Sequence, residues 1–327
     1  MDFSKIPIGE LASLPEFQGF DYMIAEENPE LAPMVNAMDI SQICHYFTEP
    51  IWEERSLTEG VEFLYNRACS GQVFYTLPPD GRRLPLSVNT GLAAFPVPDR
   101  DAGNTPFVIL CPGGSFRHVC KIQEGYPVAK RLNELGVAAF VLQYGTGQPF
   151  DTEASMEDIF SALNLIQRNK DAFHVDPDHY AVMGFSAGGL VAALWGTKRL
   201  GYARYHCRKP DCLILAYPAI STRSFNEEDR LSFFGADYSE DDLVSTSADE
   251  SADKDYPPSF IWLSEDDPEV PKEEHASLLV EKLKQEHVPV CFETYPGALH
   301  GTGLGDHTSS RGWIERAVKF WQNHSER

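Results

Sequence analysis

Long hydrophobic runs and basic residues are both scarce in this sequence. No window of about 18 consecutive apolar residues occurs, so no segment is expected to span a membrane. The first residues, MDFSKIPIGELASLPEF, lack a basic stretch followed by an apolar one, so we expect no secretory signal and a cytoplasmic protein. Lys and Arg total 27 against 49 Asp and Glu, a net charge of −22. A field of that sign repels nucleic-acid backbones and anionic membranes, so neither is an expected partner.

The cysteines follow no regular spacing. The seven cysteines are odd in number and scattered, and several lie in apolar runs, which favours buried reduced thiols over a disulfide framework. Cys207 and Cys212 with nearby His206 lack a second pair of matching spacing, so no metal site is expected. The sequence has no internal repeat, and its 43% hydrophobic and 12% aromatic residues are typical of an ordinary globular protein.

Short apolar runs rich in β-branched residues alternate with stretches of helical periodicity from about residue 105 onward. Runs without polar alternation are typical of strands covered on both faces, so the alternation predicts a mostly parallel sheet flanked by helices, an α/β class. The predicted strands are Phe107–Cys111, Val137–Leu142, Tyr180–Met183, Cys212–Ala216, Phe260–Leu263 and Val288–Phe292. The predicted helices are Glu124–Leu135, Met156–Asn169, Gly188–Thr197, Glu273–Gln285 and Ser310–Asn323.

Two regions interrupt this alternation. Residues 1–70 contain short helical patterns such as Ile40–Phe47 and Thr58–Cys69 without a clear strand, and we treat them as an N-terminal helical extension or cover. Residues 71–327 would form the main domain, with an Asp-, Glu- and Ser-rich insertion at about 221–258. A connection of that length either carries function, as a cover over a pocket, or is a solvated acidic excursion. Both interpretations of the insertion stay open.

The strongest local motif is Gly184-Phe185-Ser186-Ala187-Gly188, placed between a predicted strand and a predicted helix. A serine on such a tight turn has an exposed hydroxyl, and the glycines let strand and helix approach each other. A serine hydroxyl is a poor nucleophile without a base to accept its proton and an acid to hold that base. An acid and then a histidine are therefore expected after the later strands.

Both residue types follow later strands in the expected order. Strand Phe260–Leu263 leads into Ser264-Glu265-Asp266-Asp267-Pro268, and strand Val288–Phe292 leads into a turn that contains His300. The carboxyl ends of parallel strands meet at one edge of a sheet, where open α/β sheets bind their ligands. Ser186, Asp267 and His300 are therefore the candidate catalytic residues.

A glycine-rich turn supplies candidate donors for an oxyanion. Pro112-Gly113-Gly114-Ser115-Phe116 follows the strand that ends at Cys111, and its backbone can approach a substrate closely. We expect oxyanion-hole donors from the backbone N–H groups of Ala187 and of Gly114 or Ser115. The alternative is that this segment is a plain turn. His118, just beyond it, could contact substrate.

Four segments resemble the α/β-hydrolase superfamily, and within it the esterases that include acetyl xylan esterase-like and feruloyl esterase-like enzymes. They are CPGGSF, GFSAGG, SEDDPEVP and YPGALHGTGL. The resemblance implies an α/β-hydrolase fold over about residues 70–327, and its Asp-x-x-Val-Pro pattern selects Asp267 over Asp266. Two features depart from relatives: Pro112 stands where many have His, and Gly145 follows Tyr144 where many have Arg. If that arginine organises the oxyanion turn in relatives, another group must do so here.

The resemblance and the residues together predict a serine carboxylesterase. It would remove short acyl groups, acetyl above all, from a neutral, carbohydrate-like small molecule, without cofactor or metal. The same three residues would equally serve an amidase or peptidase, and a non-catalytic binding protein of this fold is a further alternative. The sequence leaves open whether the chain forms a homo-oligomer.

Overall fold

The apolar runs form the central strands of one sheet. The computed structural model describes residues 1–77, 89–98 and 105–325, and over these residues the sheet has eight strands in the order β1-β2-β4-β3-β5-β6-β7-β8. The strands are β1 Phe74–Thr76, β2 Gly91–Phe95, β3 Thr105–Cys111, β4 Ala138–Gln143, β5 Val175–Phe185, β6 Cys212–Ala216, β7 Ser259–Ser264 and β8 Val290–Tyr295.

Six consecutive strands of the sheet, β4-β3-β5-β6-β7-β8, are parallel. Ile109 of β3 lies between Phe140 of β4 and Val182 of β5, and all three side chains are buried. The expectation of a mostly parallel sheet flanked by helices is confirmed. The sequence analysis missed β1 and β2, which pair antiparallel with each other and join the sheet through β4.

Helices lie between most strands and in the two extra regions. They are α1 Ile8–Ala12, α2 Ala32–Val35, α3 Ile40–Cys44, α4 Glu54–Ser70, α5 Tyr126–Glu134, α6 Thr152–Arg168, α7 Lys170–Phe173, α8 Ser186–Trp195, α9 Glu227–Phe234, α10 Glu240–Thr246, α11 Ala248–Ser251, α12 Ala276–Gln285 and α13 Trp313–His324. Helix α4 packs on α5. An ion pair between Arg131 of α5 and Glu315 of α13 links these two helices. Elsewhere, α6 packs on α8, and α11 contacts both α8 and α12.

The first seventy residues carry short helices that share the core of the sheet-forming part. Ile8, Leu11 and Phe17 are completely buried in the same hydrophobic cluster as the strands. Helix α4 approaches α5 so closely that a Cβ at Gly60 would lie 2.7 Å from the ring of Pro127. These contacts hold the N-terminal residues against one side of the sheet, while the boundary at residue 70 stays a prediction.

The 221–258 insertion folds mainly as three helices, α9 to α11, preceded by a short 3₁₀ turn at Thr222–Ser224. Its buried Phe233 contacts Phe116 and Phe150, with ring centroids 4.9 and 5.3 Å away. The N–H of Phe150 also donates to the carbonyl of Phe233 at 2.8 Å. Helix α9 is therefore anchored beside the glycine-rich turn that follows β3.

Among the helices of the described residues, none has the length and hydropathy needed to cross a bilayer.

Candidate active site

Ser186 lies on a sharp turn where β5 ends and α8 begins. Its φ of 50° is in the left-handed region, which residues with a side chain rarely adopt. The two motif glycines make this turn sterically accessible. A Cβ at Gly184 would lie 2.2 Å from the carbonyl oxygen of Gly188, and a Cβ at Gly188 would lie 2.1 Å from that of Cys111. The turn therefore depends on glycine two residues before and two residues after the serine.

The structure brings the three predicted side chains together at the carboxyl edge of the sheet. His300 Nε2 lies 2.8 Å from Ser186 Oγ, and His300 Nδ1 lies 2.7 Å from Asp267 Oδ2. The other carboxylate oxygen of Asp267 accepts the backbone N–H groups of Glu269 and Val270, at 2.9 and 3.0 Å. The Asp267 side chain is fully buried and that of His300 nearly so, so the geometry of the pair is tightly defined.

The environment of His300 favours its charged form. Burial alone lowers the pKa of the imidazole, but the hydrogen bond with Asp267, followed by the charges of Asp267, Glu269 and Glu124, outweighs burial and leaves the pKa raised. The imidazolium that forms when a hydroxyl proton is accepted is therefore stabilised at this position. The group must still lose its proton before it can act as a base.

The glycine-rich turn after β3 packs directly against Ser186. A Cβ at Gly113 would lie 2.9 Å from the Cβ of Ser186. The next three residues all have positive φ, namely Gly114 at 132°, Ser115 at 53° and Phe116 at 62°. Within the described ranges, the N–H groups of Gly114 and Ser115 make no backbone or side-chain hydrogen bond. Ala187 is in the first turn of α8, where N–H groups have no partner within the helix.

A buried carboxyl group that the sequence analysis missed anchors this turn. Glu124 Oε2 accepts the N–H of Gly113 at 2.6 Å, and Glu124 Oε1 accepts the hydroxyl of Tyr217 at 2.8 Å. Tyr144, on the neighbouring strand end, donates its hydroxyl to the carbonyl of Pro112 at 2.7 Å. In the sequence Glu124 belongs to no motif and simply begins a predicted helix, so only the folded arrangement reveals it.

Ser186 opens onto a cavity of about 490 Å³. Ser186, Ala187 and the turn residues 115–118 form one part of its lining. Leu31 of the N-terminal region and α9 residues of the insertion, Asp229 and Phe233 among them, form another part. His118 also lines the cavity, and its Nδ1 lies 2.8 Å from Glu26 Oε2, so an N-terminal carboxylate holds its ring. Both extra regions of the chain therefore contribute walls to this cavity.

No cluster of three or more His, Cys, Asp or Glu side chains suited to a metal ion occurs among residues 1–77, 89–98 and 105–325. The groups described at the candidate site are a hydroxyl, an imidazole, two buried carboxyl groups and backbone amides.

Comparison with known proteins relates this chain to enzymes that act on esters and carbohydrates. A family model described as BD-FAE matches residues 95–203. An acetylxylan esterase from Xylanibacter ruminicola is 25% identical over 64% of this chain and 43% of its own length. An endo-1,4-beta-xylanase B from Butyrivibrio fibrisolvens is 28% identical over 63% of this chain and 34% of its own length. The chain therefore spans less than half the length of these two relatives.

A solved structure gives a fuller match. The acetyl ester-xyloside bifunctional hydrolase from Caldicellulosiruptor lactoaceticus is 27% identical, with a TM-score of 0.64 over 76% of this chain and 94% of that one. The resemblance that the four sequence segments indicated is confirmed. The chain has the α/β-hydrolase fold and is similar to carbohydrate esterases of that fold, and its residues 95–203 match the BD-FAE family model.

Proposed function

We propose that the protein is a serine carboxylesterase that removes short acyl groups, acetyl above all, from a neutral, hydroxylated, carbohydrate-like alcohol. The observation that carries the proposal is the continuous chain of contacts from Ser186 Oγ through His300 to Asp267, at 2.8 and 2.7 Å, beside the cavity. A hydroxyl in this arrangement has a base in hydrogen-bonding range and a buried carboxylate that sets the tautomer of that base.

The proposed reaction uses these groups in two half-reactions. Ser186 Oγ attacks the ester carbonyl while His300 Nε2 accepts its proton, and Asp267 stabilises the resulting imidazolium. The N–H groups of Ala187 and of Gly114 or Ser115 bind the oxyanion. His300 then donates the proton to the leaving alcohol, and the acyl group stays on Ser186. Water attacks the acyl-enzyme with His300 again as base, which releases the carboxylic acid and restores the serine.

The charge of the chain and of the cavity supports a neutral alcohol. The net charge is −22, and the cavity beside Ser186 is lined by two acidic side chains, Asp229 and Glu269, against one basic side chain, Arg117. An anionic substrate would meet a repulsive field there, whereas hydroxyl groups can donate hydrogen bonds to carboxylates. Similarity to an acetylxylan esterase and to an acetyl ester-xyloside bifunctional hydrolase supports acetyl as the acyl group and a xylose-based alcohol.

We also propose that residues 1–70 and the 221–258 insertion act as covers that shape the substrate range. Both regions contribute to the cavity lining, the first through Leu31 and the second through Phe225, Asp229 and Phe233, which supports this proposal. Neither region supplies a side chain to the Ser-His-Asp set. Substitutions in these walls are therefore expected to change the preference between substrates more than the chemistry.

The test is acetate release from acetylated xylo-oligosaccharides by the wild-type protein and by Ser186→Ala. Release by the wild-type chain alone supports the proposal, while equal release by both proteins overturns it. An aminoacyl anilide measured in parallel separates the esterase from an amidase or peptidase with the same residues. Faster cleavage of the anilide than of the acetyl ester would replace the esterase assignment.

A further inference from the structure

Glu124 is a buried carboxyl group that the proposed reaction does not use. It is 3% exposed and lies in a π-helical turn, Lys121–Gly125, that precedes α5. Such turns widen the helix locally and are frequent at functional sites. Burying a carboxyl group is unfavourable unless its oxygens are hydrogen-bonded, so the partners of this group indicate what it is held for.

The two oxygens of Glu124 connect two loops that come from distant parts of the chain. One oxygen accepts the N–H of Gly113 in the glycine-rich turn, at 2.6 Å. The other accepts the hydroxyl of Tyr217, at 2.8 Å, and the same hydroxyl oxygen accepts the N–H of Gly303, at 2.9 Å. Gly303 lies three residues after His300. A single carboxylate therefore bridges the oxyanion turn and the histidine loop.

Tyr217 adds a direct contact with the proposed base. It is completely buried, and its ring lies against the imidazole of His300 with 4.9 Å between centroids, edge to face. A tyrosine fixed at its hydroxyl by Glu124 and Gly303 has little freedom to tilt. Its ring thus limits where the imidazole of His300 can lie.

We propose that Glu124, acting through Tyr217, is a positioning residue that aligns the oxyanion turn with His300 for attack by Ser186; this rests on the proposed function. Because Glu124 accepts the hydrogen bond from the N–H of Gly113, it fixes the peptide between Pro112 and Gly113. The N–H groups of Gly114 and Ser115 are then left to bind the oxyanion. The charge of Glu124 lies close enough to favour the imidazolium of His300. Glu124 touches neither the substrate nor the reacting atoms.

Opposing effects set the protonation of Glu124. Burial raises its pKa to about 7, although the hydrogen bonds from Gly113 and Tyr217 and the nearby His300 and His118 oppose that rise. Only the ionised form accepts both the N–H and the hydroxyl without leaving a carboxyl proton unpaired. The hydrogen-bond pattern is thus that of a carboxylate.

The test compares Glu124→Gln, Tyr217→Phe and the double variant with a matched control, Asp211→Asn. Asp211 precedes β6 and Tyr217 follows it, so Asp211 lies at the end of the strands opposite to the candidate site. Its side chain is 5% exposed, so it is also a buried carboxyl group. Each protein is assayed for kcat and KM on a nitrophenyl acetate, for the rate of Ser186 labelling by a fluorophosphonate, and for thermal unfolding.

We expect Glu124→Gln to lower kcat and the labelling rate by about 10- to 100-fold with KM changed less than about twofold, the loss typical of misplaced catalytic groups. Tyr217→Phe should lower kcat similarly. The double variant should lose about as much as the worse single variant, because the two residues act as one unit. Asp211→Asn should retain wild-type kcat and labelling.

Wild-type kcat in folded Glu124→Gln, or losses that multiply in the double variant, would overturn the inference. If Glu124→Gln does not fold, Tyr217→Phe decides by the same criteria. Wild-type activity that survives in Ser186→Ala would instead overturn the proposed function, so the two failures are distinguishable.

Discussion

Replacing Asp267 with Asn tests how the carboxylate controls the imidazole. Asp267 Oδ1 accepts two backbone N–H groups, from Glu269 at 2.9 Å and Val270 at 3.0 Å. In the Asp267→Asn variant, the carbonyl oxygen of the new side chain must take this position because both partners are donors. The amide NH₂ then faces His300 Nδ1, which lies 2.7 Å from the other carboxylate oxygen in the wild type. That contact is favourable only when Nδ1 carries no proton.

The expected loss in kcat follows from the change in the tautomer of His300, whose proton moves from Nδ1 to Nε2. Loss of one ordinary hydrogen bond would weaken the site by about 1 kcal/mol, a factor of about five. With its proton on Nε2, however, His300 cannot accept the proton of Ser186 at 2.8 Å. We therefore expect kcat to fall by about 10³- to 10⁴-fold, close to the loss of about 10⁴-fold that the same change causes in a Ser-His-Asp protease. That corresponds to about 4–5 kcal/mol of activation free energy.

The assay is kcat for a nitrophenyl acetate, with circular dichroism and thermal unfolding to verify the fold. Asp266→Asn is the matched control, because it makes the same change one residue earlier on an exposed side chain. The control should keep wild-type kcat. A folded Asp267→Asn protein that loses less than about tenfold in kcat would refute the reasoning, since the tautomer of His300 would then not depend on Asp267.

Three further predictions concern pH and packing. The kcat/KM value should rise with pH around a midpoint above the ordinary 6.5, because Asp267 raises the pKa of His300 against the effect of burial; a flat profile between pH 5 and 9 would contradict this. The free energy of unfolding of Glu124→Gln should increase relative to that of the wild type as pH rises from 5 to 8, by up to about 3 kcal/mol. The reason is that folding raises the pKa of the Glu124 carboxyl from 4.5 to about 7, so its ionisation in this pH range destabilises the folded wild type. Denaturant titrations at several pH values measure this difference, and a constant difference would argue against a buried ionisable group. Gly188→Ala should destabilise the fold by about 3 kcal/mol or more, because its Cβ would lie 2.1 Å from the Cys111 carbonyl oxygen, and wild-type thermal stability would show that the turn tolerates a side chain.

The buried strands were predictable because a strand covered on both faces is an almost continuous apolar run in the sequence. β3 and β6 are buried along almost their whole length and consist of continuous apolar runs, so their bounds agree with the prediction to within two residues. β2, GLAAF, was missed because Gly and Ala have weak strand preference, and its pairing with β4 gives it its conformation. The edge strand β8 is half-buried along most of its length. It begins two residues later and ends three residues later than predicted, because the apolar run Val288–Phe292 does not coincide with the strand.

The positions of the Ser-His-Asp residues were predictable for a related reason. Each of Ser186, Asp267 and His300 follows a strand, and parallel strands bring the residues at their carboxyl ends to one edge. Glu124 follows no strand and lies in a helix whose sequence pattern is ordinary. Its contacts with Gly113 and Tyr217 depend on how a π-helical turn packs beneath two loops, which local sequence patterns do not encode.

The central claim is that the hydroxyl of Ser186 is a nucleophile because His300 and Asp267 activate it. The most direct measurement is mass spectrometry of the folded protein after reaction with a fluorophosphonate, with the modified peptide sequenced. The account predicts a single adduct on Ser186, formed much more slowly in Asp267→Asn and absent in Ser186→Ala. An unlabelled Ser186 in folded wild-type protein, or equal labelling of the wild type and Asp267→Asn, would contradict it.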